Sequence, residues 1–164
     1  MKLFGLVLLF LFPATTLSQA PLDAGLKVNG LALGATREQV ISKLGKPTRE
    51  IKGGMDECVG ADRLTLQYPG LEFKLWDDSE KPGKFTVGMF EVTSAKWDAS
   101  GARVGQASSA VKKMFGTRYT AAKDSQTGET VWDYAMDDDK GPGNTNFTIR
   151  NGKVVRIFSM WLMC

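Results

Sequence analysis

The stretch at residues 33–45 is echoed at 104–116, at a constant offset of about 71 residues. Gly34 then meets Gly105, Val40 meets Val111, Leu44 meets Phe115 and Gly45 meets Gly116. Both copies have one physical design: a glycine turn, a polar residue able to cap a helix, apolar residues at helical spacing, and a glycine where a left-handed C-cap is wanted. Thr36 with Gln39 fits a capping box, and Ser108 is the matching polar residue in the second copy. Pro47 forbids continuation of the first helix.

Each helical segment leads into alternating, strand-like sequence. In the first half, residues 63–68 and 71–75 alternate around Pro69-Gly70, and 85–94 forms a third strand after a loop at 77–84. In the second half, 130–136 precedes a loop at 137–144, and 146–150 and 153–163 flank Asn151-Gly152, a strong hairpin signal. The fold expected is α+β: two tandem helix-plus-three-stranded antiparallel repeats in one continuous unit, helices on one face and an open concave sheet face on the other. The expected units are 1–20, 21–97 and 98–164, with residues 97–101 as the joint.

Residues 1–20 carry Lys2, an apolar run from Leu3 to Phe12, Pro13, and a small, polar stretch ending Ser18-x-Ala20. This is the layout of a secretory signal peptide. Its apolar run is about half of the ~20 residues that cross a bilayer. The chain is therefore expected to be exported, periplasmic or secreted, without stable membrane insertion. Export places Cys58 and Cys164 where disulfides persist, and one intramolecular bond between them is expected; intermolecular pairing or a reactive thiol are the alternatives.

Composition narrows the chemistry. There is no histidine among the 164 residues. That removes Ser-His-Asp and Cys-His catalysis and the usual zinc ligands. A formal charge of +3, with the signs interspersed, gives no nucleic-acid tract. Asp77-Asp78 and Asp137-Asp138-Asp139 open loops without calcium-loop spacing, so they read as solubilising turns. Glu72, Glu91 and Asp133 are available for acid–base work, but no spacing singles out a pair. No metal, cofactor or enzymatic activity is expected.

The segments Gly34…Val40…Leu44-Gly45-x-Pro47 and Gly105…Val111…Phe115-Gly116, each ahead of a short antiparallel sheet, resemble the superfamily of the β-lactamase inhibitor proteins and the BamE/SmpA outer-membrane assembly factors, in its tandem form. The chain departs from both. It has one Cys in each half rather than a disulfide within each, and no lipidated N-terminal Cys. The resemblance implies a sheet face that binds another protein.

Alternation assigns the side chains of that face. Lys74 and Trp76 in the first half, and Asp133, Arg150, Arg156 and Phe158 in the second, point away from the expected core, with Val155 and Ile157 inward. Large apolar area flanked by a few charges is the composition of a protein-binding surface. The expected function is an exported, non-enzymatic module that docks this face on another protein and inhibits or neutralises an exported enzyme or toxin. An envelope-assembly factor of BamE type is the alternative, and a carboxylate-dependent hydrolase a more distant one.

Overall fold

The computed structural model describes residues 22, 25–78, 81–138 and 141–162. The expected signal peptide and Cys164 lie outside them. The elements are α1 (Arg37–Leu44), β1 (Arg49–Asp56), β2 (Ala61–Tyr68), β3 (Leu71–Asp78), β4 (Lys81–Val92), α2 (Ser108–Phe115), β5 (Thr120–Lys123), β6 (Thr130–Asp138), β7 (Gly141–Arg150) and β8 (Lys153–Trp161). All strands join one antiparallel sheet in the order β1-β2-β3-β4-β8-β7-β6-β5.

This corrects the expected fold class. In place of two helix-plus-three-stranded repeats there is one eight-stranded sheet with two short helices. Two strands escaped the sequence reading, β1 and β5, and both are edges. Edge strands are solvated on both faces and need no alternation, and β1 (REIKGGMD) and β5 (TAAK) have none. The expected loops at 77–84 and 137–144 largely continue the ladder, with Asp77 paired to Phe85 and Ala135 to Asn144. Across the middle, β4 and β8 pair directly, Met89 opposite Met160 and Val92 opposite Ile157. A strand that finds a hydrogen-bonding neighbour leaves no bare edge at the centre, so the sheet runs through.

One hydrophobic core lies on one face. Leu64, Leu66, Phe73, Leu75, Val87, Phe90, Val92, Trp132, Tyr134, Phe147 and Ile157 cluster there with Val40 of α1, Val111 of α2, and Leu26, Val28, Trp97, Ala99 and Ala102 of the connecting segments. The joint at 97–101 is thus part of the core: the Trp97 indole donates to the Pro69 carbonyl at 2.9 Å, and Asn29 N–H to Asp98 O at 2.9 Å.

The helix ends show how short sequence signals become anchors. Thr36 Oγ1 accepts from Gln39 N–H (3.2 Å) while Thr36 N–H donates to Gln39 Oε1 (2.8 Å), completing the capping box. For α2 the expected cap differs. Ala107 is the N-cap with no side-chain bond, and Ser108 N–H donates instead to Gly152 O of the β7–β8 turn. Gly45 and Gly116 close the helices at φ 83° and 82°, conformations in which a Cβ is strained. Their carbonyls receive the phenol groups of Tyr68 and Tyr134, each at 2.9 Å. Burial, with a smaller contribution from Tyr119, pushes the Tyr134 phenol up to about 12, so it remains a donor at ordinary pH. Lys112 lies over the Trp132 ring at 4.7 Å, tying α2 to β6.

Candidate partner-binding face

The face opposite the core is read from the strand register. One row runs Lys74, Met89, Met160, Asn144, Ala135 across β3, β4, β8, β7 and β6. The next runs Glu72, Glu91, Phe158, Asn146, Asp133. Arg156 is opposite Thr148 in the row beyond, and Trp76 is opposite Thr86 toward the β3–β4 hairpin tip. Met89, Met160 and Phe158 thus form an apolar centre, with Lys74 and Glu91 on one side and Asn144, Asn146 and Asp133 on the other.

Five of the six expected residues, Lys74, Trp76, Asp133, Arg156 and Phe158, lie on this face. All five are half-buried rather than open. Met89 is 8% exposed and Thr148 2%, although both point away from the helices. The expected open, water-facing surface is corrected to one whose side chains pack on one another. Arg150 is placed apart at the β7–β8 end, exposed and ion-paired with Glu129.

Met89 was missed because the ladder shifts register between Lys74 and Leu75, which pair with Met89 and Val87. Simple alternation puts residues 87 and 89 on one face; the bulge at Gly88 splits them, leaving Val87 in the core and Met89 on the outer face. The same event in β8 corrects the expectation for Val155. The register shifts between Thr148 and Ile149, so Val154 and Ile157 are buried and Val155 is only half so.

Electrostatics on the face are uneven. Burial pushes the Asp133 carboxyl above the ordinary aspartate range, against a smaller opposing effect of the Asn144 amide. Asp56 behaves oppositely: burial raises it, but the Trp76 indole, the Val59 and Cys58 N–H groups and Arg63 together hold it below the usual range. A carboxyl whose folded value is raised binds its proton more tightly folded than unfolded. Ionised Asp133 therefore detracts from stability above its folded value, and the penalty fades as pH falls toward the unfolded value. Asp133→Asn is expected to raise Tm at pH 7 and to leave it unchanged at acidic pH, where Asp133 is protonated in both states; melting curves across pH check this.

Among the described residues no group of three His, Cys, Asp or Glu side chains is arranged to hold a metal ion. The structure makes Glu72 and Glu91 cross-strand partners and ties Glu72 to Gln67 Nε2 at 2.9 Å. No free cysteine occurs among the described residues. No described helix is long and apolar enough to cross a membrane.

No family model matches the chain, and no curated protein matches it either. Among solved structures, the chain is similar to an extracellular protein containing an SCP domain from Bacillus anthracis str. Ames, at 13% identity and a TM-score of 0.46. That similarity covers 99% of this chain and 50% of the other, so the chain spans about half the length of that protein.

Proposed function

We propose that this chain is an exported, non-enzymatic protein-binding module that docks its outer sheet face on another exported protein and blocks it by occlusion. The observation that supports this reading is the apolar centre of Met89, Met160 and Phe158 on the face away from the core, bordered by charged and amide side chains on adjacent strands. An apolar centre within a polar rim is the anatomy of a protein interface, and large side chains at such a centre supply most of the binding energy. Phe158 is the central anchor, Trp76 extends the apolar area toward the hairpin tip, and Lys74, Arg156 and Asp133 orient the partner. The N-terminal segment directs export, and the oxidising compartment it leads to favours a disulfide between Cys58 and Cys164.

The test is capture of the partner by the purified protein, compared with the Phe158→Ala, Arg156→Ala double variant. Loss of about 2–4 kcal/mol in affinity is expected. Stability should change by about 1–3 kcal/mol, since the two substitutions remove three outer-face cross-strand pairs, each contributing up to about 1 kcal/mol. A double variant that captures as well as the parent refutes the docking face.

A further inference from the structure

We propose that the groove between α1 and the segment leading into it receives an extended peptide segment of another protein, with one methionine-type side chain seated beside Gly30. The site is separate from the docking face above, because α1 packs on the core side of the sheet. The groove holds about 720 Å³ and opens to solvent. Leu31, Ala32, Leu33 and Ala35 line one wall, and Glu38 and Lys43 of α1 line the other.

The chain itself shows what such a groove takes, because the segments entering α1 and α2 follow one backbone course. Asn29-Gly30 turns at φ 48° and 84°, Ser100-Gly101 at 53° and 89°. Val28 and Leu31 exchange hydrogen bonds at 2.8 and 2.9 Å, Ala99 and Ala102 at 2.9 and 3.0 Å. Gly34 N–H then donates to Val87 O at 2.6 Å, and Gly105 N–H to Val154 O at 2.7 Å. Only the side chains differ. At α2, Met114 is half-buried, and its sulfur lies 3.4 Å from where a Cβ on Gly101 would stand, so the thioether fills the gap between helix and turn. Gln106 Oε1 accepts the Arg103 N–H there at 2.9 Å. At α1 the matching residues are Lys43, which is exposed, and Ala35, which has no side-chain acceptor. No atom lies within 4 Å of a Cβ built on Gly30, and Ala32 N–H meets no acceptor among the described residues. The α1 groove thus lacks two groups that the chain supplies at α2, a thioether and an amide oxygen.

The chemistry of the visitor follows. A methionine side chain is unbranched and polarizable and adapts to an irregular gap, and a peptide carbonyl supplies the oxygen for Ala32 N–H. Charge sets the flanks. Glu38 stands in the first turn of α1 and Lys43 in the last, about 7.5 Å apart along the helix axis. Residues on either side of the central one in an extended peptide are separated by about 7 Å, so one basic and one acidic flanking residue match the two. Both groove charges are open to such pairing. Glu38 reaches Arg37 only at 3.7 Å, while Arg37 is committed to Glu50 at 2.9 Å. Lys43 joins none of the ion pairs among the described residues.

The experiment titrates the purified, 15N-labelled protein with the peptide N-acetyl-Lys-Met-Glu-amide, read at the backbone amide signals of Gly30, Ala32 and Gly34. Saturable shifts of all three are expected, with a Kd of about 0.1–1 mM. The peptide N-acetyl-Lys-Ala-Glu-amide, which keeps the charges and removes the thioether, should bind at least about tenfold more weakly. The Ala35→Gln, Lys43→Met double variant gives the α1 groove the two groups found at α2, and is expected to lose the response with Tm no lower than that of the parent. Absence of saturable shifts overturns the proposal, as does an equal response to the alanine peptide or undiminished binding by the double variant. An equal response to hexanamide would assign the groove to an acyl chain, and the same shifts on raising protein concentration alone would assign it to a second copy; either overturns the peptide site. The two peptides decide the matter even where the double variant does not fold.

Discussion

Phe147→Ala is expected to destabilise the fold by about 3–5 kcal/mol, the usual cost of deleting a fully buried aromatic ring. For a domain of this size that lowers Tm by roughly 2–4 °C per kcal/mol. Phe147 is completely buried. It stacks on Phe115 of α2, ring centroids 5.6 Å apart, and meets the edge of Tyr134 at 5.7 Å. Its loss would open a void where α2 rests on the sheet and loosen the Tyr134 ring that caps Gly116. The informative control is Phe158, which sits across the same ladder from Asn146, one residue along β7 from Phe147. The two phenylalanines are alike in chemistry and differ in the face they occupy. Thermal unfolding of both alanine variants reads that difference: a large drop for Phe147 and a small one for Phe158. Equal drops would mean that both faces are core and would remove the basis for a docking surface.

Gly70→Ala should be nearly as damaging, by about 2–4 kcal/mol, the range of substitutions that combine backbone strain with overpacking. Gly70 has φ 73°, a region that disfavours any residue with a Cβ. An added Cβ there would collide with the Ser94 Cβ and lie 3.1 Å from the Ser94 backbone nitrogen. Retreat is blocked, because Thr93 N–H donates to the Gly70 carbonyl at 2.9 Å and the Trp97 indole holds Pro69. Gly60, at φ 68° with no atom within 4 Å of its hypothetical Cβ, isolates the backbone effect. Its alanine variant should lose only about 1 kcal/mol. Denaturant titration of the pair separates strain from collision, and equal losses would show that the β2–β3 turn has room beneath the 93–97 segment.

Neither of these effects requires the helices to be long. Each helix has eight residues and one fully buried side chain, Val40 or Val111, and helices that short are not stable alone in water. Their caps and the two tyrosines hold them in place, while the strand ladder supplies most of the structure.

The two helices, the Pro69-Gly70 and Asn151-Gly152 turns, and the face that Lys74, Trp76, Asp133, Arg156 and Phe158 occupy are legible in the sequence. Those are local matters: a capping box, a turn dipeptide and a period of two are written within a few consecutive residues. Tertiary structure alone decided that the strands make one sheet, because the β4–β8 pairing joins segments about 70 residues apart and no local pattern encodes which edges meet. It also decided the positions of Met89 and Val154, since a bulge adds one residue to one strand and reverses the faces beyond it. The meeting of Asp133 and Asn146 was set by strand register as well, since they face each other only once β6 and β7 lie side by side. Arg150 shows the reverse case: its alternation is correct, but the Glu129 carboxylate, brought near by the β5–β6 connection, takes its charge at the strand end.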